Sequence, residues 1–287
     1  MIEHLAITVL VENTAGDRGL LGEHGLSFLI ETETDRLLFD TGQGLTLQHN
    51  AQQLNISLLD LDAITLSHGH YDHAGGLPAL LDLINTTNSA HRPDLFLHPQ
   101  AITPKYSPRG DIGSPLQDEQ ALTKQVRRLI WTEKPTEVVA GVWVTGEIPR
   151  RHPLEDTGGS FWCSPKRTDI DPLLDDQALF METPSGFVVI FGCAHAEVIN
   201  TLDYISEITG ASSFYAVLGG MHLLNAKSDR IESTIEHLKK YAVQVIGANH
   251  CTGMKATSIL WQEFGDCWVD CRVGSRFRIN LPAFSQD

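Results

Sequence analysis

Residues 68–73 read HGHYDH and place three imidazoles and one carboxylate within six positions. The apolar run AITL just before them predicts a short buried strand, and a proline shortly after them fits the first turn of a helix. The motif therefore falls on a loop between a strand and a helix. His68 and His70 can point to the same side and share one metal ion, whereas Asp72 and His73 can bind a second ion about 3.5–4 Å away. The stretch predicts a two-metal site.

The pattern H-x-H-x-D-H followed by small residues resembles the signature of the metallo-β-lactamase superfamily. Further stretches resemble this family in the same order along the chain: LFDTG at 38–42, FGCAH at 191–195 and NHCTG at 249–253. With EHGLS at 23–27 and GGMHL at 219–223, they resemble more narrowly the branch that includes the dihydropterin-ribofuranosylaminobenzene-phosphate synthases of methanopterin biosynthesis. The resemblance runs from about residue 1 to 280.

The resemblance implies a set of metal ligands, with two departures from the usual pattern. The third histidine of the family usually lies in a Gly-His turn, and here that turn carries Glu147. The usual bridging aspartate is replaced by Cys193, and His195, two residues on, is the natural substitute imidazole. We expect His195 rather than Glu147 to be a ligand, and Cys193 to remain outside the ligand set. The expected ligands are His68, His70, Asp72, His73, His195 and His250.

Three further roles are predicted around these ligands. Asp72 would also be catalytic by orienting the attacking water, and His222 would be a catalytic or substrate-contacting residue beside the metals. His24, next to a glycine, would line the substrate cleft. Each candidate after the motif follows an apolar strand, and strand ends hold ligands more rigidly than loop tips do.

Charge limits the classes of partner. The chain carries 21 Lys and Arg against 36 Asp and Glu, a net charge of −15, which argues against general nucleic-acid binding. Residues 99–170 differ, with ten basic against nine acidic side chains. Arg150 and Arg151 in this part are therefore predicted to bind a phosphorylated small-molecule substrate. The alternative is that these charges form a solvated surface.

Alternation of strands and helices in two successive runs predicts an α/β fold, an αββα sandwich. We expect one metallo-β-lactamase-like domain over 1–287, interrupted by an irregular insert at 99–176 over the active-site face. Within the insert we expect a short helix near 119–130 and one strand at 138–144. The apolar runs are too short to span a bilayer, and the chain lacks a secretory signal pattern at its start. We therefore expect a cytoplasmic protein that does not bind membranes.

Imidazole with carboxylate is a ligand set for divalent ions, with Zn²⁺ expected and Fe or Mn as alternatives. Two such ions predict a hydrolase that cleaves an ester, phosphoester or related bond in a small anionic substrate. The branch resemblance implies an alternative, a synthase that joins a dihydropterin to ribofuranosylaminobenzene phosphate. A third hypothesis is a metal-containing binding protein without turnover.

Overall fold

Two β-sheets pack face to face in the computed structural model of the chain, which describes residues 1–88, 90–116, 118–280 and 283–286. Helices cover the outer face of each sheet, which confirms the predicted αββα sandwich. The strands are β1 (Leu5–Val11), β2 (Ser27–Glu31), β3 (Arg36–Phe39), β4 (Ala63–Thr65), β5 (Asp94–Leu97), β6 (Tyr106–Ser107), β7 (Gly110–Asp111), β8 (Leu129–Trp131), β9 (Thr136–Val139), β10 (Val142–Val144), β11 (Ala178–Thr183), β12 (Gly186–Phe191), β13 (Phe214–Gly220), β14 (Val245–Asn249), β15 (Arg276–Asn280) and β16 (Ala283–Gln286).

Seven α-helices lie between these strands in the described residues, together with short 3₁₀ turns. Among the described residues, no helix has the length and apolar character needed to cross a bilayer. The helices are α1 (Leu47–Gln53), α2 (Tyr71–Ala74), α3 (Leu77–Thr87), α4 (Glu119–Gln125), α5 (Val198–Thr209), α6 (Ser228–Lys240) and α7 (Met254–Phe264), and the 3₁₀ turns cover Pro99–Ile102, His250–Thr252 and Gly265–Cys267.

The strand order explains where functional groups can gather. The larger sheet has the order β16-β15-β1-β2-β3-β4-β5-β8, and β3, β4, β5 and β8 run parallel to one another. The smaller sheet has the order β14-β13-β12-β11-β10-β9, with β12, β13 and β14 parallel. Parallel strands end at the same edge of a sheet, and ligands in open α/β sheets bind outside these carboxyl ends. Each sheet therefore offers one edge for a site.

Three apolar layers hold the sandwich together. Side chains of both sheets meet in the central layer, where Phe28 and Phe39 face Val188 and Leu218. The outer layers form because α3 and α6 carry apolar residues at helical spacing on one face, which packs against a sheet. In α6 the last turn also carries basic side chains, which interact favourably with the carboxyl end of the helix dipole. The residues buried by these two helices include Leu77, Leu80, Leu81 and Ile84 of α3, and Ile231, Ile235 and Leu238 of α6.

The insert at 99–176 is less irregular than predicted. The expected helix near 119–130 is wrong at its end, because α4 stops at Gln125 and the following apolar residues form β8 in the larger sheet. The expected single strand at 138–144 is a hairpin of β9 and β10, since Gly141 turns the chain with a positive φ of 77°. Residues 129–144 thus contribute strands to both sheets. Helix α7 and strand β15 were not predicted from the sequence.

Candidate metal centre

The candidate ligands lie where the parallel strands of both sheets end. In the larger sheet, β4 leads into His68 and His70, and α2 carries Asp72 and His73. In the smaller sheet the candidate histidines follow β12, β13 and β14. Contacts between these loops bring the edges of the two sheets together at one rim. The histidines of the smaller sheet are His195, His222 and His250.

Three buried imidazoles form what we call the first donor group: His68, His70 and His195. One nitrogen of each lies within 4.8 Å of the others, and His68 Nε2 is 2.9 Å from His70 Nδ1. All three side chains are buried. Burial lowers the pKa of each ring, to about 3 for His70. The rings are therefore neutral and offer lone pairs, which is the protonation state that a metal ion requires.

Hydrogen bonding shows that the first donor group fits a metal ion. The carbonyl oxygen of Thr157 lies 3.0 Å from His195 Nδ1 and accepts its proton, which leaves the Nε2 lone pair free. Among the described residues, the Nε2 atom of His195 is buried and has no hydrogen-bond partner. Buried polar atoms are normally satisfied, so this atom requires an explanation. A metal ion held between the three imidazoles would provide one.

Asp72, His73 and His250 form what we call the second donor group. His73 Nε2 lies 3.3 Å from His250 Nε2, which in turn lies 3.5 Å from Asp72 Oδ2. Asp40 accepts a 2.6 Å hydrogen bond from His73 Nδ1, and the Asn13 side-chain oxygen lies 2.9 Å from His250 Nδ1. These partners fix both rings with Nε2 towards the other donors, the arrangement in which a carboxylate or amide orients a metal-binding histidine.

Charge in the second donor group also fits a cation. Burial lowers the pKa of His73, but Asp40 and Asp72 outweigh it and raise the pKa to about 9. Burial raises the pKa of Asp72, yet His73, His24 and His250 together hold it well below its usual value. The carboxylate is therefore ionised. Because the pKa of His73 is raised, its Nε2 carries a proton when no ion is bound. A metal ion that binds His73 Nε2 would have to displace that proton.

Cys193 lies between the two donor groups. Its sulfur is 3.2 Å from His73 Nε2, and its thiol comes within 4.8 Å of donor atoms of His68 and His73, and of His195 and His222. Burial raises the pKa of the Cys193 thiol well above its usual range. The thiol is therefore neutral in the metal-free chain, and the prediction that it is not a ligand stays a prediction.

Replacing Cys193 by serine is expected to leave the metal content unchanged, because the six predicted ligands do not include this sulfur. Serine has nearly the same shape, so the rim should keep its packing. The measurement is the metal content per chain after purification without chelator, with X-ray absorption at the metal edge as a second readout. A sulfur neighbour in the absorption spectrum, or loss of one ion in Cys193→Ser, would contradict the prediction.

His24 and His222 flank the two donor groups. His24 Nε2 is 3.1 Å from Asp72 Oδ2, and its side chain is 56% exposed. His222 packs against His195 with ring centroids 4.3 Å apart, and its buried Nδ1 has no hydrogen-bond partner in the part of the chain that the structure describes. Both residues therefore lie at the site, His24 on its open flank and His222 beside the first donor group.

Other predicted residues lie away from the rim. The carboxylate of Glu147 pairs with His98 Nε2 at 3.2 Å. Arg151 forms an exposed ion pair with Glu207 of α5 at 2.7 Å, and Arg150 donates to the carbonyl oxygen of Leu173. These contacts do not favour Arg151 as a phosphate ligand, because its guanidinium already has a carboxylate partner. The structure also shows no contact between Arg150 and the donor groups in the described residues.

Several further residues support the site. Asp40 and Thr157 orient His73 and His195, and Phe161 packs over His70 and His195 with ring centroids 5.3 and 5.2 Å away. Asp40 belongs to the LFDTG stretch on which the family resemblance rests, whereas Thr157 and Phe161 were not predicted from the sequence. Phe161 had no signal in the sequence, because it lies in a loop rich in proline and glycine.

Several residues of the rim have a left-handed backbone although they are not glycine. Asp40, Ala194, His222 and His250 have φ angles of 63°, 54°, 44° and 48°. This conformation is unfavourable for residues with a Cβ atom and often occurs at functional sites. Each of them lies on a loop that carries or supports a candidate ligand.

Comparisons with known proteins agree with this geometry. The family model described as the metallo-β-lactamase superfamily matches residues 21–205. The chain is 33% identical over 95% of its length to the 7,8-dihydropterin-6-methyl-4-(β-D-ribofuranosyl)-aminobenzene-5'-phosphate synthase of Methanocaldococcus jannaschii, of which the match covers 96%. It is 34% identical to an uncharacterized protein of the same archaeon, over 89% of this chain and 94% of that protein. A crystal structure of a metal-dependent hydrolase of the β-lactamase superfamily superposes with a TM-score of 0.81 at 30% identity, covering 96% of this chain and 99% of the other.

Proposed function

The chain belongs to the metallo-β-lactamase superfamily, and on this basis we propose that it is a two-metal enzyme that hydrolyses an ester, phosphoester or related bond in a small anionic substrate. One observation carries the proposal: two groups of imidazole and carboxylate donors face each other at one rim. His68 belongs to the first group and His73 to the second, and one ligand atom of each lies within 4.8 Å of the other and of the Cys193 sulfur. Two ions held this close can act on one substrate.

The donor set matches what Zn²⁺ accepts, and Fe and Mn are alternatives of similar preference. His68, His70 and His195 would hold the first ion, and Asp72, His73 and His250 the second. When bound, two such ions lower the pKa of water towards 7 and polarise the bond that is attacked. The protein residues supply geometry: Asp40, Asn13 and Thr157 fix the rings, as their hydrogen bonds indicate.

Exposure favours substrate entry from the side of the second donor group. Phe161 covers the rings of His70 and His195, whereas the His24 side chain is more than half exposed beside Asp72. A shallow groove of about 440 Å³ lies nearby and is lined in part by Gln43, whose side chain donates to the His24 carbonyl oxygen, and by Tyr71, the neighbour of Asp72, but not by the donor residues themselves. His24 can therefore contact a substrate that enters here, and its hydrogen bond with the Asp72 carboxylate raises the pKa of His24. Asp72 would orient the attacking water.

An anionic substrate is expected because two bound cations would attract it, and not because of the basic residues in the insert at 99–176. Lys105 is fully buried between Asp171 and Asp175, so it cannot reach a substrate. Arg151 is engaged with Glu207. The earlier expectation of phosphate binding by the basic insert is therefore weakened. Two divalent cations at the rim would themselves attract a carboxylate or phosphate.

A synthase is the second candidate, favoured by the full-length similarity to the archaeal enzyme. It would join a dihydropterin to ribofuranosylaminobenzene phosphate, with the ions organising two reactants. The similarity does not single out this reaction, because an uncharacterized protein of the same archaeon has about the same sequence identity over somewhat less of the chain, 34% over 89% against 33% over 95%. Hydrolysis remains the first proposal, because it requires only the two donor groups and water, whereas a synthase also has to bind a second organic reactant.

Turnover assays with protein loaded with Zn²⁺, Mn²⁺ or Fe²⁺ distinguish these reactions. We expect cleavage of a nitrophenyl phosphodiester or ester that is lost in Asp72→Ala, with Glu147→Gln as a matched carboxylate control that keeps its rate. Consumption of the pterin pair without ester cleavage would replace the hydrolase with the synthase. Tight ligand binding without turnover of either substrate would indicate a binding protein and contradict both enzymes.

A further inference from the structure

We propose that Asp175 and Asp176 are positioning residues that hold together the two loops of the first donor group. The inference rests on the proposed two-metal function, and it assigns a role to a segment that the chemistry above does not use. These adjacent residues follow the loop that ends at Leu174, and both are buried. Each carboxylate binds the backbone of a different ligand loop.

Asp175 holds the loop between His68 and His70. Its Oδ2 accepts a 2.8 Å hydrogen bond from the backbone nitrogen of Gly69. A side chain at Gly69 would meet the backbone of Ala101, since a Cβ there would lie 2.2 Å from the Ala101 carbonyl oxygen. The loop is thus enclosed on one side by Ala101 and bound by Asp175. Both imidazoles depend on the position of this single peptide.

Asp176 holds the loop that carries His195. Its Oδ2 accepts a 2.7 Å hydrogen bond from the backbone nitrogen of Ala196. The next residue, Gln177, continues the link to the larger sheet, because its backbone nitrogen donates to the Ser67 carbonyl oxygen and its side-chain nitrogen to the Leu66 carbonyl oxygen. Residues 175–177 therefore join the end of β4 to the loop after β12. These two loops belong to different sheets.

Lys105 offsets the free-energy cost of burying the Asp175 carboxylate. Its ammonium group lies 2.9 Å from Asp175 Oδ1 and 3.0 Å from Asp171 Oδ2, and all three side chains are almost fully buried. A buried charge without a partner is strongly destabilising. The pairing explains why a lysine of the insert is buried: it neutralises a carboxylate that has to remain ionised to bind Gly69 strongly.

Asp175 and Asp176 contact loops of the first donor group and none of the second. The second group is oriented by Asp40 and Asn13, which lie elsewhere in the chain. Metal ligands have to be held within about 0.5 Å of their productive positions, so releasing either loop should weaken the first ion and leave the second in place. A merely structural role would lower the stability of the fold without this selectivity.

Zn²⁺ titration against a chromophoric chelator tests the proposal on the full chain, with no need for activity. In Asp175→Leu and Asp176→Leu we expect the first ion to bind about 10- to 100-fold more weakly, the range found when groups that orient a metal ligand are removed. The second ion should keep its affinity within about threefold. Asp176→Asn retains an oxygen that can accept from Ala196 and should restore most of the affinity.

Asp171→Leu is the matched control, because it removes a buried carboxylate from the same lysine but contacts neither ligand loop. It should lower thermal stability and leave both affinities near those of the wild type. Three results would overturn the proposal. They are an equally weakened first-ion affinity in Asp171→Leu, an equal loss of affinity for both ions in the Asp175 and Asp176 variants, and an unchanged affinity in Asp176→Leu. If Asp175→Leu does not fold, the comparison of Asp176→Leu with Asp176→Asn decides. Failure of the wild-type chain to bind two ions would instead contradict the proposed function.

Discussion

Replacing His195 by alanine is expected to remove one of two metal ions and to lower activity by two or more orders of magnitude. The imidazole lies with His68 and His70 in the first donor group, and its Nε2 is buried without a hydrogen-bond partner among the described residues. Two nitrogens hold a divalent ion much more weakly than three. Since a pair of ions has to act together on one substrate, loss of the first ion should also stop turnover.

Metal content by elemental analysis checks this, with Glu147→Gln as the control. The family resemblance implies that Glu147 lies where the usual third histidine is found, but the carboxylate of Glu147 pairs with His98. The glutamine variant should therefore keep about two ions per chain, and the alanine variant about one. If Glu147→Gln lost an ion while His195→Ala kept both, the ligand would be the carboxylate and the first donor group would be wrong.

Removing both ions with a chelator is expected to abolish activity and to lower the thermal unfolding midpoint by on the order of 10 °C. A ligand that binds only the folded chain stabilises it by about 4 kcal/mol at a thousand times its dissociation constant, and each kcal/mol shifts the midpoint of a chain of this size by a few degrees. Without ions, the neutral rings of the first donor group are left with unpaired buried nitrogens.

Scanning calorimetry before and after chelation, and again after adding Zn²⁺, Mn²⁺ or Fe²⁺, provides the measurement. Activity and midpoint should return together, and the ion that restores both at the lowest concentration is the best candidate for the native one. His195→Ala should show a smaller shift on chelation than the wild type. A midpoint that is indifferent to chelation, in protein shown to have contained metal, would mean that the ions are not bound at this buried rim.

The motif loop was predictable because its ligands are neighbours in sequence and its flanks have clear periodicity. The ligands of the second sheet required the family resemblance, since Cys193 and His195 have no diagnostic spacing of their own. The identity of the fold followed from the alternation of strands and helices, and it is confirmed by the family match and by the sheet order.

Other features depend on distant partners that sequence patterns do not reveal. Lys105 is one of the ten basic side chains of 99–170 that were expected to bind phosphate or to form a solvated surface, but it is buried and pairs with Asp171 and Asp175, 66 and 70 positions away. The three residues of β8 carry too little periodicity to separate a short strand from the end of α4. Gly141 could have been recognised as a turn residue, and it indicates a hairpin in the segment where a single strand was predicted.

The left-handed backbone at Asp40, Ala194, His222 and His250 has a consequence for the choice of ion. Each such residue costs the fold about 1–3 kcal/mol, and this cost is met when the chain folds, before any ion arrives. The rim would therefore be preorganised, and an ion would bind to it with little movement of the backbone. Because metals of similar donor preference differ in coordination geometry and radius, the shape of such a rim would discriminate among ions that its donors alone would bind alike.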